Sequence, residues 1–373
     1  MVAPLMALER VMIAGGGTGG HVYPGVAVAE EILRRNPAAQ VVFVGTERGL
    51  EATILPRLGY RLETITVSRL KGGGLWGRVK GLFRLPVGIF QSWRLLRRLE
   101  PQVVLGVGGY ASGPALLAAW LTRRPTAIQE QNATPGMTNR FLGKLVRVVF
   151  VGFAAGAGAF KAKKTTFTGN PIRAALAARL ADAPEAPGAA DALRVLVFGG
   201  SQGARFLNER VPATVAALAT ARGDLTITVV HQTGPAEADA TRARYAELGL
   251  AERATVLPFI DDMPTAYAAA DLAVCRAGAL TVAELTAVGL PSLLVPFPFA
   301  ADNHQEANAS VLADAGAARL VRQDAWDDAD VATWLAELAA DRPALAAMAD
   351  ASRALARRDA ASAIVDRLEG IAR

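Results

Sequence analysis

Residues suited to chemistry gather at a few places in this 373-residue chain, most densely from Arg276 to Asn308. There the apolar run Asp271 to Cys275 is followed by Arg276, Ala277 and Gly278 and then by an Ala/Leu/Val segment, the pattern of strand, tight turn and helix. The helix is predicted to start near Ala279. Its first-turn amides have no intrahelical acceptor and the helix dipole adds about half a positive charge, so the spot suits an anion, phosphate best. Glu284 lies three residues from Thr281 on the same helical face. A carboxylate there can accept hydrogen bonds from two vicinal hydroxyls such as those of a ribose. Phosphate beside ribose suggests a nucleotide. Beyond a second strand, Pro291 to Pro296, the residues Asp302, Asn303, His304, Gln305, Glu306 and Asn308 open another helix and suit the hydroxyls of a sugar.

The elements that position further polar groups come earlier. VMIAGGGTGGHVYPG, residues 11–25, reads as strand, glycine loop and helix, and Gly15, Gly17 and Gly20 satisfy GxGxxG. The second strand, Val41 to Val44, ends in Gly45 and Thr46 with no acid to hold a dinucleotide ribose, which weakens that fingerprint. What remains is a phosphate-sized nest with Thr18 and His21 at the helix entrance. The dipole disfavours an imidazolium there, leaving His21 neutral and able to act as a base; the plainer alternative is a turn residue. A second glycine loop, GVGGYASGP at 106–114, follows the strand Val103 to Val107, and a further strand ends in Glu130, Gln131 and Asn132. The strand Val146 to Val151 closes the first half, and FTGNPIR, residues 167–173, has the turn chemistry of a joint.

LRVLVFGGSQGARFLN, residues 193–208, then repeats the strand-and-glycine opening. Two copies of one phosphate-binding βα start point to an α/β protein of two Rossmann-like parallel-sheet domains facing across a cleft. The expected division is residues 1–170 and 171–351, with a last helix of about 352–373 packing back on the first domain. His231, at the end of a strand predicted over Leu225 to Val230, is expected to be a satisfied strand-end histidine. Asp328, Ala329 and Asp330 spell a DxD, but their place before an apolar-periodic run is explained by helix capping.

Composition narrows the class. With 52% hydrophobic and 20% charged residues the chain is expected to be well-packed α/β rather than disordered. Its single cysteine, Cys275, cannot form an intramolecular disulfide and is expected to pack at a strand end. MVAPLMALER has too short an apolar run for a signal peptide, and the uncharged window Pro101 to Thr122 is broken by GVGGYASGP, so no transmembrane segment is expected. The net charge of +6 has a local source: from Thr64 to Leu99 there is no acid and there are eight bases, Arg69, Lys71, Arg78, Lys80, Arg84, Arg94, Arg97 and Arg98. Leu75, Trp76, Val79, Leu82 and Phe83, then Ile89, Phe90, Trp93 and Leu96 beyond Pro86, form apolar faces among those bases. The bland reading is a pair of crossover helices. Exposed Trp and Phe among bases also suit an anionic membrane surface through residues 69–98, and no nucleic-acid motif accompanies the patch.

The order GALTVAE, GLPSLLVPFP, HQEANA resembles the donor site of the MurG-type N-acetylglucosaminyltransferases of bacterial peptidoglycan synthesis. The three glycine loops and the NPIR joint extend the resemblance over essentially the whole chain. It implies a GT-B fold of glycosyltransferase family 28. The implied reaction is inverting transfer of N-acetylglucosamine from UDP-GlcNAc to the undecaprenyl-diphosphate-linked N-acetylmuramyl-pentapeptide, with no metal and no cofactor, by a peripheral enzyme on the cytoplasmic face of the inner membrane. By position, the resemblance gives the donor to Arg173, Ser201, Ile260 with its backbone toward the uracil, Ala279, Leu280, Thr281, Val282, Ala283, Glu284 and Gln305. Thr18, Gly19, Gly20 and Asn132 complete the site from the first domain. His21 is the first choice of base on the acceptor hydroxyl and Glu130 the second. Where the family has a histidine before that glutamate this chain has Gln129, which removes any imidazole from that position. The rival readings are a UDP-sugar epimerase, another UDP-sugar-dependent glycolipid glycosyltransferase, an NAD oxidoreductase and a non-catalytic membrane adaptor.

Overall fold

A computed structural model describes residues 7–67, 74–174, 176, 192–200 and 202–373, for 74–84 the backbone alone. The chain forms two compact units, Met1–Ala174 with Arg357–Arg373, and Ala175–Ala356.

The first unit is built on β1 (Arg10–Ala14), β2 (Gln40–Gly45), β3 (Arg61–Thr64), β4 (Val103–Gly106), β5 (Thr126–Glu130), β6 (Val148–Val151) and β7 (Thr165–Phe167). They form one sheet in the order β3-β2-β1-β4-β5-β6-β7. Every pairing is parallel, with Val11 opposite Val41 on one side and Val103 on the other. Val-rich strands buried on both faces are what a parallel sheet covered by crossover helices requires. The helix Ala360–Glu369 belongs to this unit: Ile364, Val365 and Leu368 are fully buried in one cluster with Val22, Val26 and Ile32. Arg35 fixes it further, donating to Asp366 Oδ1 (2.6 Å) and Ser362 Oγ (2.7 Å).

The basic stretch departs from expectation. Instead of two helices divided at Pro86, its backbone is one helix, Gly74–Leu99. Proline costs that helix a hydrogen bond, yet the helix runs through it. Beyond Pro86, Gly88 permits close packing, since a Cβ there would lie 2.8 Å from Thr66 O and 3.3 Å from Pro114 Cβ. The apolar residues beyond Pro86 also divide: Leu95 and Leu96 are core, while Phe90 and Trp93 are exposed and stacked at 5.6 Å.

The second unit repeats the plan with β8 (Ala192–Phe198), β9 (Thr226–Gln232), β10 (Ala254–Leu257), β11 (Leu272–Cys275), β12 (Ser292–Leu294) and β13 (Ala318–Leu320). Their order is β10-β9-β8-β11-β12-β13, again all parallel. In each unit all strand C-termini therefore face one edge, and the loops that follow them gather there. The low-complexity run at 181–192 lies outside the described residues, save for Ala192.

Candidate functional site

In the first unit, two glycine loops interlock. Gly15 N donates to Val44 O (3.0 Å) and Gly16 N to Gly108 O (3.2 Å). Gly17 N donates to Glu51 Oε2 (2.6 Å). The first part of the loop is thus closed on itself and is no phosphate nest. The groups left for an anion are those of the next turn, where Thr18 and Gly20 are exposed at the start of the helix Gly19–Arg35. His21 sits in that turn, half-buried, with Nδ1 3.2 Å from Thr18 Oγ1. Gly108, at φ +91°, lies under its ring: a Cβ there would come within 2.7 Å of His21 Cδ2.

Glu51 was not singled out by the sequence. It is wholly buried seven residues into the segment after Val44, and besides Gly17 it accepts from Thr46 N (2.9 Å) and Thr46 Oγ1 (2.8 Å). It is therefore no ribose partner for a dinucleotide.

Glu130 is also committed. Only 2% exposed, it accepts from Asn132 N (2.9 Å) and Asn132 Nδ2 (3.3 Å) on Oε1, and from Gly136 N (3.1 Å) and Asn139 Nδ2 (2.9 Å) on Oε2. This carboxylate shapes the 131–136 loop and holds half-buried Asn132. Gln129 is buried, and its Nε2 donates to Asn170 Oδ1 (2.8 Å), while Asn170 Nδ2 donates to Gln131 O (2.9 Å). The amide thus links the end of β5 to the NPIR joint. Arg173, in the joint, stacks its guanidinium 5.0 Å from the Tyr23 ring centre.

In the second unit, the helix Ala279–Val288 starts behind Gly278 and ends at Gly289, whose φ of +72° is the left-handed cap glycine favours. Ala279, Leu280 and Thr281 are its first turn, the end that binds anions. Val282 is 1% exposed and its N–H already donates to Gly278 O (2.9 Å), so that residue of the carried-over run has no group for a ligand. Leu280, Thr281, Ala283 and Glu284 are half-buried. Glu284 Oε2 accepts from Tyr267 Oη (2.9 Å), a buried phenol that packs edge-on against Phe198. Tyr267 lies on the short helix Met263–Ala269, capped by Asp262, which accepts from Thr265 N (3.1 Å). The cap follows Ile260, a buried loop residue. Gln305 Oε1 accepts from Phe297 N (2.9 Å), fixing the 295–303 loop. Ser201 lies outside the described residues.

Arg276 stands just before the Ala279–Val288 helix, 8% exposed, donating to Val295 O and Pro296 O (both 3.1 Å) and to Gln323 Oε1 (2.6 Å). Burial pulls its pKa down to about 10, so it remains a cation at neutral pH. Burial raises the thiol pKa of Cys275. His231 is the satisfied strand-end residue expected: buried, with Asn208 Oδ1 at 3.1 Å from Nε2 and Tyr245 Oη at 3.0 Å from Nδ1. Since Asn208 Nδ2 donates to Thr233 O (3.0 Å), its Oδ1 must accept from the imidazole. Burial lowers the pKa of this histidine to about 3.

Among the described residues no group of three or more His, Cys, Asp or Glu side chains could hold a metal ion. The DxD carboxylates have protein partners: Asp328 accepts from Trp326 Nε1 (2.8 Å) and Thr214 Oγ1 (2.9 Å), and Asp330 pairs with Arg319. The cap itself is Asp327, which accepts from Asp330 N (2.9 Å).

Comparison with known proteins gives the family. The description "Glycosyltransferase family 28 N-terminal domain" matches residues 11–151 and "Glycosyltransferase family 28 C-terminal domain" matches residues 194–364. A Myxococcus xanthus (strain DK1622) protein named UDP-N-acetylglucosamine--N-acetylmuramyl-(pentapeptide) pyrophosphoryl-undecaprenol N-acetylglucosamine transferase is 47% identical over 96% of this chain and 92% of its own length. A protein of the same name from Anaeromyxobacter dehalogenans (strain 2CP-C) is 52% identical over 84% of this chain and 80% of its own length. The crystal structure of Acinetobacter baumannii MurG superposes with a TM-score of 0.79 at 34% identity, covering 97% of this chain and 99% of that one.

Proposed function

The chain belongs to glycosyltransferase family 28, and on that premise we propose that it transfers N-acetylglucosamine from UDP-GlcNAc to the undecaprenyl-diphosphate-linked N-acetylmuramyl-pentapeptide. The observation that carries this reading is the helix start at Ala279 with Glu284 one turn on, held by Tyr267, which suits diphosphate and ribose together. The uracil is assigned to the backbone around Ile260, the sugar to Gln305, and the diphosphate also to Arg173 and Ser201.

The chemistry follows from these roles. A base removes the proton of the acceptor hydroxyl, its oxygen attacks the anomeric carbon, and the bond to UDP breaks with its electron pair going to the β-phosphate. The charge that develops there is met by the positive end of the helix that starts at Ala279 to Thr281 and by Arg173. No metal is invoked. His21 is the base: it stands in the first turn of the Gly19–Arg35 helix, with Nδ1 3.2 Å from Thr18 Oγ1, a contact that orients the imidazole. Glu130, with both oxygens already accepting, positions Asn132.

The lipid acceptor also gives meaning to the surface of the first unit. Phe90 and Trp93 are exposed, and Arg97 stacks 5.5 Å from the Trp93 ring. Arg98 is partly neutralised by Glu63 at 2.7 Å. Trp120, Leu121, Met137 and Phe141 of the same unit are exposed as well. The side chains of Arg69, Lys71, Arg78, Lys80 and Arg84 lie outside the described residues. No described helix is long and apolar enough to cross a membrane. The exposed rings and bases support peripheral attachment to an anionic bilayer, and we place it on the cytoplasmic face as the family resemblance implies.

The test is product analysis with labelled UDP-GlcNAc, with and without the lipid-linked acceptor. Label moving into lipid only when acceptor is present supports the reading. A new UDP-sugar without acceptor means an epimerase, and vesicle binding with no UDP release means an adaptor.

A further inference from the structure

We infer that Glu51 is a positioning residue for the acceptor half of the reaction, setting the peptide between Gly16 and Gly17 and through it the placement of Thr18 and His21. The inference rests on the reading that His21 acts on the acceptor hydroxyl. Gly16 and Gly17 have φ of +148° and +93°, a conformation that glycine enters and leaves at little cost, so the loop sequence alone does not hold that peptide in one orientation. Two contacts do. The N–H of Gly17 donates to Glu51 Oε2 at 2.6 Å, and the carbonyl oxygen of Gly16 lies against Gly109, where any Cβ would overlap it. Gripped at both ends, the peptide cannot turn over. Thr18 then follows in extended conformation (φ −132°, ψ 159°) as the residue from which the helix begins, and His21 N donates to its carbonyl at 3.1 Å.

The surroundings are shaped for this carboxylate. Glu51 is 0% exposed, and a Cβ at Gly16, Gly45 or Gly49 would collide with its side chain, so three glycines leave room for it. Its other oxygen accepts from Thr46 N and Thr46 Oγ1, which anchors it to the end of β2. No cation faces it among the described residues, and its hydrogen-bonding partners are all loop donors. A buried carboxylate held only by such donors is retained where its acceptor geometry is needed, since an apolar residue would leave Gly17 N–H and Thr46 N–H unpaired. The sequence separates Glu51 from Gly17 by 34 positions, and both lie in the first unit.

The test is Glu51→Gln in the full chain. Its amide has one acceptor oxygen for two backbone donors and turns an NH2 toward one of them. Amide exchange in the peptide covering residues 15–21 is expected to quicken about tenfold, kcat/KM for the acceptor to fall about tenfold with kcat itself lowered, and the Kd for UDP to stay within about twofold. If Glu51→Gln does not fold, Thr46→Val, which removes only one partner of the carboxylate, is expected to lower kcat/KM for the acceptor about threefold with UDP binding intact. Wild-type exchange and wild-type kcat/KM for the acceptor in the folded variant, or equal losses toward UDP and acceptor, overturn the inference. A wild-type enzyme that transfers nothing to the lipid acceptor overturns the functional reading instead, and the exchange rates still decide whether Glu51 holds the loop.

Discussion

Removing the hydroxyl of Tyr267 isolates the donor half of the mechanism. Tyr267 is 2% exposed and donates to Glu284 Oε2 at 2.9 Å, so Tyr267→Phe deletes a hydrogen bond to a charged group without altering the ring contact with Phe198. Such a bond contributes about 1.5–3 kcal/mol when buried, and because Glu284 is half-exposed the loss in its ordering is put at about 1 kcal/mol. That is about a fivefold rise in the Kd for UDP. Glu284→Ala removes the ribose acceptor itself, at about 2 kcal/mol or roughly thirtyfold. The tyrosine acts only through the carboxylate, so the double variant should bind no more weakly than Glu284→Ala alone. Titration calorimetry with UDP on the four proteins gives the cycle directly. Additive losses would show that Tyr267 acts independently of Glu284, and an unaltered Kd in Glu284→Ala would remove the ribose assignment.

Three further outcomes follow. His21→Ala should cut kcat by at least about a hundredfold and leave the UDP Kd unchanged, whereas Glu130→Gln should chiefly raise the acceptor KM; an unchanged kcat in His21→Ala takes the imidazole out of the mechanism. His231 is held neutral in the fold, its pKa lowered from 6.5 to about 3, so the unfolded chain binds the extra proton as pH falls below 6.5. Stability should therefore be full above about pH 6.5 and fall by up to about 1.4 kcal/mol per unit toward pH 3, a slope that His231→Gln should remove in pH-dependent denaturant melts. Phe90→Ser with Trp93→Ser should weaken binding to anionic vesicles several-fold in sedimentation without altering UDP affinity; unchanged sedimentation would move the membrane face elsewhere.

The sequence made some of this legible and hid the rest for physical reasons. The central strands, such as Val41 to Val44 and Val103 to Val107, stand out because a parallel sheet buries both faces and a glycine loop closes each run. The strands β3, β7 and β13 did not stand out. Arg61 to Thr64 carries polar residues on an edge, and the other two span three residues each. Pro86 suggested a helix boundary because local rules disfavour proline inside a helix, whereas the helix runs through it and its far half is packed through Leu95 and Leu96. In the candidate site, the residue types on the loops were readable, while their mutual support was not. Glu51 reaches back 34 residues to Gly17 and Glu284 meets Tyr267 from 17 residues away, separations that no periodicity reports. Glu130 shows the converse: its type and place suggested a base, and only its four donors show it occupied.

The most direct measurement is transfer of labelled N-acetylglucosamine from UDP to the undecaprenyl-diphosphate-linked muramyl-pentapeptide by the purified chain in EDTA. Label entering the lipid-linked product at a rate the chelator does not reduce is the expected result. Absence of transfer with or without added divalent metal contradicts the proposed function, and transfer that EDTA abolishes contradicts the assignment of the leaving-group charge to Ala279 to Thr281 and Arg173.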